Sequence, residues 1–173
     1  MEKSKGYIQL YTGNGKGKTT AAIGAAIRAA GAGKTVFIAQ FVKGMPYSEL
    51  NSLKLIPQIH LQQFGLDCFI KNKPVQKDID AAQKGLEAIT RAIKSNSYSM
   101  IIMDEICIAL HYKLLPIKTV VQLLNEKPGE MEIILTGRYA TKELIKSADL
   151  VTEMKEVKHY YNKGIQARKG IEF

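Results

Sequence analysis

Hydrophobic and polar residues along this chain form two kinds of segment. Short apolar runs rich in β-branched and aromatic residues are typical of buried strands. They recur between longer segments in which apolar residues return every three to four positions, the spacing of an amphipathic helix. Strands are predicted at residues 7–11, 35–41, 59–64, 99–103, 132–136 and 150–154. Strands that alternate with helices predict an α/β fold with a parallel sheet flanked by helices.

The predicted helices differ in how their apolar residues are distributed. The segment 75–94 carries its apolar side chains on one face, at Ile79, Ala82, Leu86, Ile89 and Ile93. The segment 19–30 is almost entirely alanine and isoleucine with Arg28 as its one charge, which predicts a buried helix. Two further helices are predicted at 116–124 and 141–148. A chain of 173 residues is about the length of one domain, so a single domain over residues 1–173 is expected.

Composition excludes several classes of protein. The hydrophobic fraction of 46% and the charged fraction of 24% are ordinary for a folded globular protein. No uncharged apolar run approaches the roughly 18 residues that cross a bilayer, and the first residues lack the apolar stretch of a signal peptide. We therefore expect a cytoplasmic protein with no membrane partner. Cys68 and Cys107 lie far apart without metal-ligand spacing, so both are predicted to be reduced thiols.

The chain is strongly basic. Its 25 lysines and arginines exceed its 16 acidic residues, which gives a formal charge of +9 and predicts an anionic partner. A nucleic-acid groove and a polyphosphate site would both explain this charge. Because the basic residues are spread along the whole chain, no nucleic-acid partner is expected.

A glycine-rich loop lies between the first predicted strand and the first predicted helix. Residues 12–20 read Thr-Gly-Asn-Gly-Lys-Gly-Lys-Thr-Thr. Glycines let successive backbone N–H groups converge on phosphate oxygens, Lys18 adds a positive charge, and Thr19 offers a hydroxyl to Mg²⁺. A flexible basic turn is the alternative, but it does not explain the position at a strand–helix junction. The predicted nucleotide ligands are Gly13, Asn14, Gly15, Lys16, Gly17, Lys18, Thr19 and Thr20.

The loop is one residue shorter than the common phosphate-binding loop G-x-x-x-x-G-K-[ST]. Position 12 is threonine, and the first glycine, Gly13, leaves only three residues before Gly17. A shorter loop changes which amides face which phosphate. The usual placement of the β- and γ-phosphates, and with it ordinary hydrolysis of the γ-phosphate, therefore does not carry over.

Two acidic residues follow an apolar strand. Asp104 and Glu105 come at the end of Met-Ile-Ile-Met, a pattern that predicts carboxylates at the sheet edge where the glycine-rich loop also lies. Mg²⁺ is the implied ion, because it prefers hard oxygen ligands. The alternative is that these acids only cap the next helix. The three histidines, His60, His111 and His159, lie on separate segments without a nucleophile, so no general base is predicted.

Taken together, several motifs give the chain a resemblance to a known family. They are the glycine-rich loop and the segments 40–44, 104–105, 135–138, 157–159 and 164–171. With them the chain resembles, nearly end to end, the ATP:corrinoid adenosyltransferases of the CobA/CobO/BtuR type. That resemblance implies a P-loop NTPase fold of the RecA-like kind. It also implies that ATP binds in the reverse direction, so that cobalt in the Co(I) state attacks C5′ and expels triphosphate.

The resemblance also implies cofactors, partners and roles. ATP is the co-substrate, a corrinoid is the acceptor, an electron donor reduces cobalt, and a homodimer is possible. Lys18 and Glu105 are the predicted catalytic residues, and Thr19, Glu105 and Asp104 the predicted magnesium ligands. Arg138 is predicted to contact a phosphate, whereas Arg28 is predicted either to contact the nucleotide or to form a salt bridge.

The acceptor pocket should be lined by aromatic side chains, because a corrin ring is large and mostly apolar. The chain has no tryptophan, and Phe69 is the predicted corrinoid contact. Packing in the core is an equally good explanation for Phe64 and Phe69. An ordinary P-loop ATPase or small-molecule kinase, acting at the γ-phosphate, is the alternative function. A RecA-like nucleic-acid-binding module is a third.

Overall fold

A computed structural model describes residues 5–66 and 73–173 of the chain. The predicted α/β architecture is confirmed, because six strands form one sheet in which every adjacent pair is parallel. The strands are β1 (Ile8–Thr12), β2 (Val36–Phe41), β3 (Ile59–Phe64), β4 (Met100–Asp104), β5 (Glu132–Thr136) and β6 (Leu150–Glu153). Their order across the sheet is β3-β2-β4-β5-β1-β6.

Six α-helices and one 3₁₀ turn connect the strands in the described part of the chain. They are α1 (Lys18–Gly31), α2 (Glu49–Leu53), α3 (Gln76–Ser95), α4 (Ile106–His111), α5 (Ile117–Asn125), α6 (Lys142–Ser147) and the 3₁₀ turn Tyr160–Lys163. The sequence pattern missed α2, α4 and the 3₁₀ turn. These elements complete little more than one turn, which is too short for a helical period to be detected.

The sheet is covered on both faces by separate apolar clusters. One face packs against the alanines of α1, with Val36, Ile38, Ile102 and Ile134 contributed by the strands. The other face packs against α3, α4, α5 and α6. Strands β2 and β4 are buried along their whole length, which explains why their sequences are continuously apolar rather than alternating.

The prediction of a buried helix at residues 19–30 holds for only one face of α1. Its buried apolar residues are Ala22, Ala26, Ala29 and Ala30. The opposite face is open to solvent, where Ile27 is 49% exposed and Gly24 and Arg28 are also exposed. The low charge of this helix misled the prediction, because alanine and isoleucine alone do not distinguish a buried face from an exposed one.

The parallel arrangement brings the carboxyl ends of all six strands to one edge of the sheet. The glycine-rich loop follows β1, Asp104 and Glu105 stand at the end of β4, and Arg138 follows β5. The chain turns sharply at this edge, since Val42 and Glu105 adopt left-handed backbone angles, with φ of 56° and 58°. The fold therefore assembles the predicted site at one edge.

No helix in the two described ranges is long and apolar enough to cross a membrane.

Gly24 and Gly85, which lie in the interiors of two helices, allow a matched test of core packing. A Cβ added to Gly85 of α3 would lie 2.6 Å from Cε1 of Phe41, whereas one added to Gly24 of α1 meets nothing within 4 Å. We expect Gly85→Ala to lower the free energy of unfolding by about 1–3 kcal/mol through overpacking. Gly24→Ala should raise it by up to about 1 kcal/mol through helix propensity. Urea unfolding measures both, and equal stabilisation by the two variants would contradict the packing at Gly85.

Candidate active site

The Lys18 ammonium lies inside the glycine-rich loop. Gly13 and Gly17 have φ angles of 96° and 113°, which let the loop curl around this side chain. The Lys18 Nζ donates hydrogen bonds of 2.9 Å to the carbonyl oxygen of Gly13 and 2.7 Å to that of Gly15. Burial lowers the pKa of Lys18, although the negative charge of Glu105 works against this shift. A phosphate group entering the loop would meet a concentrated positive charge.

Both carboxylate oxygens of Asp104 accept hydrogen bonds from the surrounding helix, strands and loop. Its Oδ1 accepts hydrogen bonds from the hydroxyls of Thr19 at 2.8 Å and Thr136 at 2.7 Å. Its Oδ2 accepts from the Lys43 ammonium at 2.8 Å and from the Gln40 amide at 3.3 Å. Asp104 is only 1% exposed. Four donors nearly exhaust the acceptor capacity of one carboxylate, so this residue orients its neighbours.

Glu105 stands beside Asp104 in a different environment. Its backbone N–H donates to the Thr136 hydroxyl at 2.9 Å, and its φ of 58° turns the chain from β4 into α4. The side chain makes no capping hydrogen bond to α4 although Glu105 occupies the N-cap position. The alternative that this acid only caps the next helix therefore finds no support for Glu105.

The Glu105 carboxylate is held in a poorly solvated position. Burial raises its pKa above the ordinary value, and the neighbouring Asp104 charge raises it further. Lys43 and Lys18 offset part of this shift. A carboxylate of this kind gains most from a cation placed directly against it, since the cation replaces the lost solvation.

Lys43 is the site residue to which sequence reasoning assigned no role. It lies in the loop after β2, with a side chain 12% exposed, and its Nζ is 3.5 Å from the Thr19 hydroxyl. A Cβ on Gly65 would lie 2.3 Å from the Lys43 backbone nitrogen, so the loop after β3 packs closely against Lys43. The sequence showed a lysine just past a buried strand, within the family-like segment 40–44, but gave it no role. Strand order, which puts β2 beside β4, was needed to interpret it.

The electrostatic partner of Lys43 keeps it charged. Burial lowers the pKa of Lys43. The charge of Asp104, its hydrogen bond to Lys43 and the charge of Glu105 raise the pKa by more than burial lowers it. The pKa of Lys43 consequently lies above its ordinary value. An ammonium and two carboxylates thus occupy one corner of the site.

The other predicted site residues fall into three groups. Asn14 and Thr20 are exposed on the loop and on the first turn of α1, and Arg138 is exposed just after β5. Lys16 belongs to the loop, but its ammonium contacts residues 160–172. Phe69 lies outside the described residues. Phe64 packs against the core with its ring centroid 6.1 Å from that of Phe41, which supports the packing alternative for this residue.

The side chains at this edge suit a hard cation. The oxygens of Thr19, Asp104 and Glu105 are the ligand type that Mg²⁺ prefers. Because Asp104 is already occupied by four donors, Thr19 and Glu105 are the better candidates for direct contact. Within residues 5–66 and 73–173, no cluster of three or more His, Cys, Asp and Glu side chains could hold a metal by itself. Phosphate oxygens and water would complete the shell.

None of the histidines contacts the acidic pair in the described part of the chain. His60 is hydrogen-bonded to the Tyr98 hydroxyl at 2.9 Å. His111 stacks on Tyr139 with ring centroids 4.3 Å apart, and the His159 ring accepts a hydrogen bond from the backbone N–H of Tyr161. Each histidine thus contacts an aromatic ring or a backbone group away from the acidic pair, as the sequence predicted.

Cys107 follows the acidic pair on α4. It is a free and buried thiol, and burial raises its pKa to about 12. A thiol of that kind is neither a nucleophile nor a metal ligand at neutral pH. Cys107 therefore belongs to the packing beneath the site.

Comparison with known proteins identifies the family that the chain is similar to. The family model for ATP:corrinoid adenosyltransferase BtuR/CobO/CobP matches residues 4–173. The chain is 36% identical to a corrinoid adenosyltransferase of Escherichia coli (strain K12), over 99% of this chain and 88% of that protein. It is 34% identical to the corrinoid adenosyltransferase CobA of Salmonella typhimurium, with the same coverage. It is 31% identical to a corrinoid adenosyltransferase of Pseudomonas aeruginosa, over 98% of this chain and 84% of that protein.

Removing the Lys43 charge should destabilise the folded protein. In Lys43→Met the buried Asp104 carboxylate loses its only ion-pair partner in the described structure, and we expect the free energy of unfolding to fall by about 3–5 kcal/mol. The double variant Lys43→Met/Asp104→Asn should be less destabilised, because no unpaired charge remains. The control Lys155→Met breaks an exposed pair with Glu153 and should change little. Denaturant unfolding measures all three, and a Lys43→Met protein as stable as the control would contradict this role.

Proposed function

This chain belongs to the ATP:corrinoid adenosyltransferase family BtuR/CobO/CobP, and we infer from this membership that it transfers the adenosyl group of ATP to a corrinoid. It is a transferase of cobalamin biosynthesis with ATP as co-substrate. The match over residues 4–173 is the observation that carries this function, because it includes every segment that forms the site. The acceptor is cob(I)yrinic acid a,c-diamide, cobinamide or cob(I)alamin in the proposed reaction.

The fold proposed for this activity is a P-loop NTPase of the RecA-like kind. Two features support it. A glycine-rich loop joins β1 to α1, and an acidic residue at the end of β4 accepts a hydrogen bond from the threonine that follows the loop lysine. The glycine-rich loop is one residue shorter than the common phosphate-binding loop, and in this contracted form it differs from the loop of ordinary P-loop NTPases.

The triphosphate of ATP is proposed to lie along the loop. Lys18 and the loop amides neutralise charge that accumulates on the leaving triphosphate, and Arg138 adds a fork of donors from the end of β5. The remaining loop residues complete the cradle, namely Gly13, Asn14, Gly15, Lys16, Gly17 and Thr20. Lys16 does so through its backbone in this proposal, because its ammonium contacts residues 160–172. Membership of this family implies that ATP binds in the reverse direction and presents its ribose C5′ to the acceptor, and we propose that binding mode here; a loop that is one residue short is consistent with it.

Magnesium is proposed to bind between the loop and the acidic pair. Thr19 and Glu105 are the direct ligands in this proposal, and Asp104 orients the Thr19 hydroxyl by accepting a hydrogen bond of 2.8 Å from it. The hydroxyl then directs its lone pairs away from Asp104. When bound, Mg²⁺ supplies positive charge that stabilises the departing triphosphate. Lys43 keeps Asp104 in place from the opposite side.

The proposed chemistry needs no proton acceptor. The electron pair of cobalt in the Co(I) state forms a Co–C bond to C5′, the C5′–O bond breaks, and its electrons leave with the intact triphosphate. Such a nucleophile has no proton to lose, which agrees with histidines that lie away from the acidic pair. An electron donor must supply Co(I), Phe69 is the proposed contact of the corrin ring, and a homodimer is the proposed assembly.

Product analysis tests the reaction directly. With MgATP and a corrinoid reduced to Co(I), we expect one equivalent of intact triphosphate for each adenosylcorrinoid formed, because the C5′–O bond is the one that breaks. Anion-exchange chromatography and the visible spectrum of the corrinoid measure the two products. Phosphate or diphosphate as the primary product would instead indicate the alternative, an ATPase or kinase that acts at the γ-phosphate.

Variants of Glu105 and of a control residue, Glu126, should differ in the Mg²⁺ concentration that their activity requires. Glu105→Gln removes the proposed direct ligand, and we expect the Mg²⁺ concentration that gives half-maximal activity to rise by at least about tenfold. Glu126→Gln removes the carboxylate of the residue that follows α5, which accepts a hydrogen bond from Gln122, and it should leave this concentration unchanged. An unchanged Mg²⁺ requirement in Glu105→Gln would refute its role as a ligand.

A further inference from the structure

The last part of the chain, residues 154–173, is attached at both ends to consecutive residues of the glycine-rich loop. At its beginning, the Gly15 amide donates a hydrogen bond of 2.7 Å to the carbonyl oxygen of Met154. Near its end, the Lys16 ammonium donates a hydrogen bond of 2.9 Å to Oε1 of Glu172. Most residues between these two points are exposed. We name this stretch the closing segment, because it leaves the loop at Gly15 and returns to it at Lys16.

The first attachment is made by backbone groups in close contact. The Met154 N–H donates to the carbonyl oxygen of Thr12, the last residue of β1, at 2.8 Å, which continues the pairing with β1 one residue beyond the end of β6. A Cβ on Gly13 would lie 2.4 Å from the Met154 carbonyl oxygen, and one on Gly15 would lie 2.8 Å from it. These glycines therefore serve the closing segment as well as any phosphate.

The second attachment uses every proton of the Lys16 ammonium. Its Nζ donates to the Tyr160 hydroxyl at 3.2 Å and to the carbonyl oxygen of Ile171 at 3.1 Å, in addition to Glu172. An ammonium has three protons, and all three are directed at the closing segment. Lys16 thus has a different task from Lys18, whose ammonium points into the loop.

Glu172 is the centre of this second attachment. Its side chain is only 17% exposed. Besides Lys16, its carboxylate accepts hydrogen bonds from the Tyr160 hydroxyl, from the Arg168 backbone N–H at 2.7 Å and from the Arg168 guanidinium at 3.4 Å. The hydrogen bond from Tyr160, followed by that from Lys16, holds the pKa of Glu172 well below its ordinary value. A network of this size fixes a side chain far better than a single surface ion pair does.

We propose that Glu172 is a positioning residue for ATP, which acts through Lys16 to hold the glycine-rich loop in the contracted shape that receives the triphosphate. The inference rests on the proposed function, because ATP is the ligand whose binding it concerns. The opposite role is physically possible, since a carboxylate bound to Lys16 could compete with phosphate oxygens. The two roles predict opposite changes in ATP affinity when the carboxylate is neutralised.

The test is Glu172→Gln, which keeps the shape of the side chain and removes its charge. We expect the variant to bind MgATP about tenfold more weakly in calorimetric titrations without corrinoid, because the hydrogen bond from Lys16 is no longer strengthened by a negative charge. In the full reaction the KM for ATP should rise by a similar factor, whereas kcat and the KM for the corrinoid should be unchanged. Thermal melts establish that the protein remains folded at the assay temperature.

Two controls separate positioning from a general effect of the closing segment. Glu156→Gln alters a carboxylate of the same segment that is hydrogen-bonded to Asn162 and does not touch the loop, so its ATP affinity should equal that of the unchanged protein. Lys16→Met should weaken ATP binding to a similar extent, and the double variant Lys16→Met/Glu172→Gln should bind no more weakly than either single variant.

The possible outcomes are distinct. Unchanged or tighter ATP binding by Glu172→Gln would overturn the inference, and tighter binding would indicate competition with phosphate. Additive losses in the double variant would also overturn it, because Glu172 would then not act through Lys16. If the unchanged protein did not bind MgATP at all, the proposed function itself would fail, whatever the behaviour of Glu172.

Discussion

The carboxylate of Asp104 is the interaction on which the site depends. It is buried at the carboxyl end of β4, where an isolated charge would be costly, and it is stable there because four donors surround it. These donors come from α1, β2, the loop after β2, and β5. The same contacts that satisfy one buried charge therefore fix the positions of Thr19 and Lys43. Glu105 is left as the carboxylate free to face a ligand.

Much of the fold could be predicted from the sequence, because its strands are apolar runs between helical patterns. The bounds of β3 and β5 were predicted to the residue, and those of α3 differed by one residue at each end. What could not be predicted was the environment of α1 and the existence of very short helices. Alanine-rich helices carry little information about which face is buried, and α4 is too short to show a helical period.

The candidate site could be predicted wherever a residue lies in a local motif. Asp104 and Thr19 belong to such motifs and do meet, with a hydrogen bond of 2.8 Å between them. Lys43 and Glu172 could not be assigned, because their partners are distant in the chain. Only the order of strands places the loop after β2 against Asp104, and only the path of the closing segment returns Glu172 to Lys16. Contacts between residues that are distant in the chain produce no periodic pattern in a single sequence.

The contracted loop and the absence of a histidine beside the acidic pair in the described ranges both fit the proposed adenosyl transfer. In a transfer of the γ-phosphate, a group such as Glu105 would have to receive or orient the attacking hydroxyl or water. A cobalt-centred nucleophile removes that need, so the protein's residues are left with the tasks of binding and charge neutralisation. Lys18, Thr19 and Glu105 suit those tasks. The network around Asp104 is then understood as a rigid support for them, which pre-orients the site before the triphosphate arrives.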